Sequence, residues 1–269
     1  MTNNASANKA HPEALGRVTF LDGQGELPML EISTAWSTAE IYLHGAHVTQ
    51  FRKKDEPPLL FVSQCSRFAE GQPIRGGIPV IFPWFGAREG LAQHGFARVK
   101  AWELKECAPA PDGSVSVRFR LPDYPEASAF PPFTADYLVT VNQSLTLQLI
   151  ITNQSRDAEF TFENCLHTYF DVGDVTALSI RGLKGVSYLD KVAGFVEKTE
   201  TSDALRIASE VDRIYQNTTG TVEIHDPRLG RMIRVEKQGS ASTVVWNRWI
   251  AKARQMPDFG DEEYGRMSC

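Results

Sequence analysis

The sequence predicts an all-β protein, a large and mostly antiparallel β-sandwich with few short helices. Three observations carry this expectation. A residue period of two dominates the chain, helical periodicity is scarce, and polar turn sequences separate the apolar runs. Val115, Val117, Phe119 and Leu121 alternate with Ser116, Arg118 and Arg120, so one face meets a core and the other stays wet. Leu145, Leu147, Leu149 and Ile151 alternate in the same way, mainly with polar residues.

Residues 137–141 and 145–152 flank the polar break Asn142-Gln143-Ser144 and read as a hairpin. Residues 221–225 and 232–237 flank Asp226-Pro227-Arg228-Leu229-Gly230 and read as a second. There proline presets φ and glycine accepts positive φ. The best helix candidate spans 249–256 and is stopped by Pro257. Long helices alternating with strands are missing, which argues against doubly wound and (βα)8 folds. Many short strands favour a sandwich over an open sheet with exposed edges. Residues 1–14 are expected to be a disordered polar tail, and 15–269 a single domain, since no composition shift marks a linker.

Charge and composition narrow the function. The 269 residues carry a formal charge of −5, which argues against a dedicated nucleic-acid binder. Hydrophobic residues make up 42% and charged residues 23%, ordinary for a soluble globular protein. The most apolar stretch, 76–86, is interrupted by Pro79 and Pro83 and is far shorter than the ~20 residues of a membrane-spanning helix. The N-terminus lacks the apolar core of a signal peptide. Four scattered cysteines without a CxxC pair read as free thiols in a reducing compartment. The expectation is a cytoplasmic monomer acting on a small molecule, with neither a nucleic-acid nor a membrane partner.

The common cofactor and nucleotide signatures are missing: there is no GxGxxG, no GxxxxGK[ST] and no GxSxG. Asp258-Phe259-Gly260 imitates a kinase motif without its companions. His44 and His47 form an HxxH in a strand-and-turn context, which suits packing or hydrogen bonding better than a metal site. Cys165 and His167 share strand parity in a segment that begins as a strand with Phe160 and Phe162 on one face. A nucleophilic pair at that spacing would be loosely positioned.

Several segments offer binding chemistry. In Arg75-Gly76-Gly77-Ile78-Pro79, two glycines permit close backbone approach and prolines stiffen the run. It is either a bulged edge strand or a rigid wall presenting the Arg75 guanidinium, the preferred fork for phosphate or carboxylate. Gln93-His94-Gly95-Phe96-Ala97-Arg98 is either a surface loop or the source of a second cation, Arg98. Asp212-Arg213-Ile214-Tyr215 is either a strand entering a sheet or a place where Asp212 accepts sugar hydroxyls. Trp246 suits either a sugar ring or a core.

Taken in order, RGGIPVIFPWFG (75–86), QHGFAR (93–98), HTYFDVGD (167–174), DRIY (212–215), WNRW (246–249) and DFGDEEY (258–264) resemble the glucose-6-phosphate 1-epimerase family. These hexose-6-phosphate mutarotases lie within the aldose 1-epimerase group. The resemblance runs from about residue 17 to the end of the chain. It implies a galactose mutarotase-like β-supersandwich with no metal and no organic cofactor. It also implies interconversion of the α and β anomers of a hexose 6-phosphate. It makes His167 the catalytic acid, and Arg75, Gln93, His94, Arg98 and Asp212 substrate-binding residues. The family's carboxylate base is a glutamate just after a segment like Arg266-Met267-Ser268-Cys269, so it is expected beyond Cys269 and is absent from this sequence. Glu262 and Glu263 read as a solvated acidic loop rather than as its replacement. Arg248 and Ala251 stand where the family often has proline and glutamate. Two other readings remain at this stage: a phosphosugar binder without turnover, and an epimerase of neutral sugars.

Overall fold

The computed structural model describes residues 16–269; the tail expected over 1–14 lies outside them. The alternation read in the sequence becomes sheet almost throughout, and the described chain divides into two compact units.

The first unit comprises residues 16–56, 69–71 and 80–165. One sheet is formed by β1 (Arg17–Asp22), β2 (Pro28–Ser33), β3 (Ser37–Tyr42) and β4 (His47–Lys53), in that order. After the short β5 (Val80–Ile81), a second sheet is formed by β6 (Glu103–Pro109), β7 (Val115–Arg120), β8 (Phe133–Val141) and β9 (Leu145–Asn153). The predicted hairpin is β8–β9, closed over Asn142-Gln143-Ser144 with Val141 opposite Leu145. Paired residues point to the same face. Val117 opposite Val139 and Phe119 opposite Tyr137 therefore form one buried layer. Leu30 opposite Ile41 and Ile32 opposite Ala39 form another. Ser37 Oγ donates to Asn142 O at 2.6 Å and ties the two sheets together.

The strand expected from Phe160 onward does not form. The chain is irregular there until β10 (Cys165–Leu166), which leads from the first unit into the second. Aromatic packing overrides the local alternation: Phe160 stacks on Phe133 at 4.8 Å, and Phe162 meets Phe82 at 5.6 Å.

The second unit comprises 57–68, 72–79 and 166–269. After β11 (Phe170–Asp171) come β12 (Ser179–Arg181), β13 (Ser187–Asp190), β14 (Val196–Thr199), β15 (Val211–Gln216), β16 (Val222–Asp226), β17 (Arg231–Val235), β18 (Ser242–Asn247) and β19 (Met267–Ser268). The sheets run β14-β13-β15-β18, β12-β16-β17 and β11-β19. The second predicted hairpin is β16–β17, with Asp226 opposite Arg231. On β15, Val211 and Tyr215 face the core, while Asp212, paired with Trp246, faces the other way.

The one α-helix among the described residues, α1 (Trp249–Ala253), is shorter than the 249–256 expected. Its end tightens into i→i+3 bonds, Gln255 N to Lys252 O and Met256 N to Ala253 O, before Pro257 removes the next donor. Among the described residues no helix is long and apolar enough to cross a membrane. None of the four cysteines is in a disulfide.

Candidate active site

The second unit gathers its reactive side chains where 74–79 runs beside 61–63 and 167–169. Gly77 N donates to Phe61 O, Tyr169 N to Gly77 O, and His167 N to Pro79 O. The approach is close enough to require glycine. Gly76 sits at φ +117°, and a Cβ there would lie 2.4 Å from Phe61 O and Val62 Cα. This fits the stiff-wall reading of the Arg75 segment better than a plain edge strand.

That wall presents Arg75 in a fixed orientation. Its Nε and Nη2 donate to Asp258 Oδ2 at 3.2 and 3.0 Å, and its Nη1 donates to Tyr169 Oη at 3.1 Å. Burial works against the charge, but Tyr169 and Asp258 outweigh it and hold the Arg75 pKa above its ordinary value. Asp258, set aside in the sequence as an imitation motif, is therefore the residue that aims Arg75. Phe259 beside it packs on Phe61 at 5.7 Å in a small core with Met256 and Met267.

His167 stacks on Tyr169 at 4.9 Å and meets Trp246 edge-on at 5.7 Å. Its Nδ1 lies 3.1 Å from Cys269 Sγ. Strand register explains that contact. Trp246 and Cys269 exchange both backbone hydrogen bonds, at 2.8 and 3.1 Å. They are thus directly opposite each other, with side chains on one face. The sulfur beside His167 is thus that of Cys269, not that of Cys165, the cysteine sharing its strand parity in the sequence. The Cys165 pairing loses its basis, because burial pushes the Cys165 thiol up to about 12 and keeps it protonated at neutral pH.

Asp212 is bound to Lys191 Nζ at 3.0 Å, and its carbonyl accepts from Lys191 N. In the first unit, Gly95 N–Cα–C passes so close to Phe82 O that only glycine fits, at φ +71°. This turn sets the flanking residues. His94 Nδ1 accepts from Gly86 N at 3.0 Å, which leaves Nε2 to carry any proton of the neutral ring. Gln93 O accepts from Arg98 Nη2 at 2.8 Å. His44 and His47 are buried at the β3–β4 connection. Among the described residues, no group of three His, Cys, Asp or Glu side chains is placed to hold a metal ion.

Glu263 is not the solvated loop residue expected. Its carboxylate accepts from Ser63 Oγ at 2.5 Å, Gln64 N at 2.8 Å and Gly260 N at 2.8 Å. It braces the loop after Asp258. Glu262 stays exposed.

Comparison with known proteins agrees with this architecture. The aldose 1-epimerase family model matches residues 28–269. A relative from Cenchrus ciliaris is 35% identical over 240 residues, covering 86% of this chain and 73% of the relative. One from Escherichia coli (strain K12) is 33% identical over 246 residues, covering 91% and 82%. Both bear the name "Putative glucose-6-phosphate 1-epimerase". A crystal structure of a mutarotase candidate (YeaD) from Salmonella typhimurium superposes with a TM-score of 0.84 at 28% identity, covering 94% of this chain and 88% of that one. The fold is that of the galactose mutarotase-like proteins, and the class is isomerase. The chain belongs to the aldose 1-epimerase family, whose members interconvert sugar anomers.

Proposed function

We propose that the substrate is a hexose 6-phosphate, glucose 6-phosphate first among them, and that His167 is the acid of its anomerisation. The observation that carries this reading is the continuity of one cluster. Tyr169 donates its ring face to His167 and accepts from Arg75 with its hydroxyl. A guanidinium for an anion and an imidazole for a proton are thus held by one side chain. The names of the two relatives support the same substrate class.

The chemistry is a reversible ring opening. A base takes the proton of the anomeric hydroxyl, the carbonyl forms at C1, and the bond from C1 to the ring oxygen breaks. His167 delivers a proton to that oxygen, a role an imidazole side chain can fill in general acid–base catalysis. Rotation about C1–C2 presents the other carbonyl face, and closure reverses both transfers. Asp258 and Asp212 are engaged by Arg75 and Lys191, and neither is assigned as the base. Arg75, Gln93, His94, Arg98 and Asp212 are assigned to substrate binding on the motif resemblance.

The test is two-dimensional exchange NMR on equilibrated glucose 6-phosphate, with and without the 269-residue chain. The spontaneous rate is the control. Acceleration well above that rate supports the reading and shows that residues 1–269 contain a sufficient base. A folded, ligand-binding sample without acceleration would overturn turnover and leave the binding protein.

A further inference from the structure

Arg248 follows β18, on the turn that enters α1. The turn is held from inside. The Asn247 side chain is fully buried, donates to Tyr264 O and Met267 O at 2.8 Å each, and accepts from Trp249 N at 2.8 Å. With Asn247 anchored, Trp249 is kept at φ 57°, a conformation an aromatic residue adopts only when its surroundings impose it. The half-buried Arg248 between them lays its guanidinium over Trp246 at 5.3 Å. Trp246 is the ring that also meets His167 and Tyr169. Arg248 thus belongs to the same cluster as Arg75.

Its charge is the one the cluster leaves unbalanced. Arg75 is neutralised by Asp258, and nearby Glu210 by Lys252 at 2.5 Å. Arg248 makes no ion pair among the described residues. Burial first, then the like charge of Arg75, holds its pKa below the ordinary arginine value, against the opposing pull of Tyr169, Asp258 and Glu210. A desolvated cation beside a second cation is costly without an anion between or beside them. A neutral sugar brings no such anion. A phosphate monoester brings about −1.5 to −2 charge at pH 7 and three acceptor oxygens, matched to a guanidinium fork.

We infer that Arg248 is a specificity-determining residue that, with Arg75, receives the phosphate of the sugar substrate. The identity of the sugar rests on the proposed function above; the anion site rests on the cluster itself. Arg75 spends three donors on Asp258 and Tyr169 and keeps at most two for a ligand. Arg248 supplies the further donors and the net charge.

The test is isothermal titration of the full chain with glucose 6-phosphate and, separately, with glucose. The unsubstituted chain is compared with Arg248→Gln and Arg248→Met. Both changes remove the charge and keep a stem over Trp246, so either suffices if the other fails to fold. The preference for glucose 6-phosphate over glucose is expected to fall about ten- to a hundredfold. An unchanged preference in the folded variant, or an unsubstituted chain that binds both sugars equally, overturns the inference. Failure of the reaction reading looks different: glucose 6-phosphate binds and Arg248 matters, but anomer exchange is not accelerated.

Discussion

Asp258 Oδ2 receives two guanidinium nitrogens of Arg75, 183 residues away in the chain, at 3.2 and 3.0 Å. Both side chains are largely buried, at 16% and 13% exposure, so the pair is shielded from the water and salt that make surface ion pairs weak. Removing one partner leaves the other desolvated and unpaired. Asp258→Ala is expected to cost about 2–3 kcal/mol, and Tyr169→Phe, which removes a single hydrogen bond, about 1 kcal/mol. Urea unfolding midpoints at constant m-value measure both. Equal and negligible losses would mean that Arg75 is not held as described.

Gly76 gives a second stability prediction. Its φ and the 2.4 Å approach to Phe61 O and Val62 Cα leave no room for a methyl group. Gly76→Ala should destabilise by about 3 kcal/mol or more. Gly185 has φ +79° and nothing within 4 Å of a built Cβ, so Gly185→Ala should cost only about 1–2 kcal/mol. Thermal unfolding of the two variants side by side separates crowding from backbone conformation.

Asn247→Ala removes three hydrogen bonds from a fully buried side chain and leaves two carbonyls without their donor. About 3 kcal/mol should be lost. Asn247→Asp should fare no better, because a carboxylate cannot donate to Tyr264 O and Met267 O. Wild-type-like stability in either variant would refute the anchoring role.

On the proposed reaction, His167→Asn should lower the anomer exchange rate by roughly 10²–10⁴-fold with the thermal midpoint little changed. Exchange NMR at saturating glucose 6-phosphate is the measurement. Turnover close to that of the unsubstituted chain would remove His167 from the mechanism.

Cys165 gives a pH prediction. Its thiol is pushed up to about 12 by burial, against ~8.5 for an ordinary cysteine. The folded state therefore keeps the proton where the unfolded state loses it. The stabilisation is fully present below about pH 8.5 and falls as pH rises toward 12, by at most ~1.4 kcal/mol per pH unit. At pH 8, alkylation of the folded chain followed by peptide mass spectrometry should modify exposed Cys65 and spare Cys165. Equal modification of the two would contradict the protected thiol.

Sequence and tertiary structure divided the outcome along a physical line. Properties set by neighbours along the chain were legible. The alternation at Val115–Arg120 and across 145–151, the turns at 142–144 and 226–230, and the scarcity of helix all follow from local periodicity and turn chemistry. The glycine at 76 announced a close approach because only glycine has no Cβ. The motifs, read in order, pointed to the family.

What local pattern could not supply is which distant groups meet. Nothing near Asp258 in the chain indicates that it holds Arg75. Nothing near Glu263 indicates that it caps Ser63 and Gln64, and it was misread as solvated. Cys269 reaches His167 only because β18 and the chain after β19 pair in one register. The strand expected at Phe160 gave way to an aromatic cluster assembled from three chain segments, around Phe82, Phe130–Phe133 and Phe160–Phe162. Long-range hydrogen bonds, buried charge compensation and ring packing depend on separations of a few ångströms between residues tens to hundreds apart in sequence. The tertiary structure alone decides those separations, and with them which guanidinium is paired, as Arg75 is with Asp258, and which, as at Arg248, makes no ion pair among the described residues.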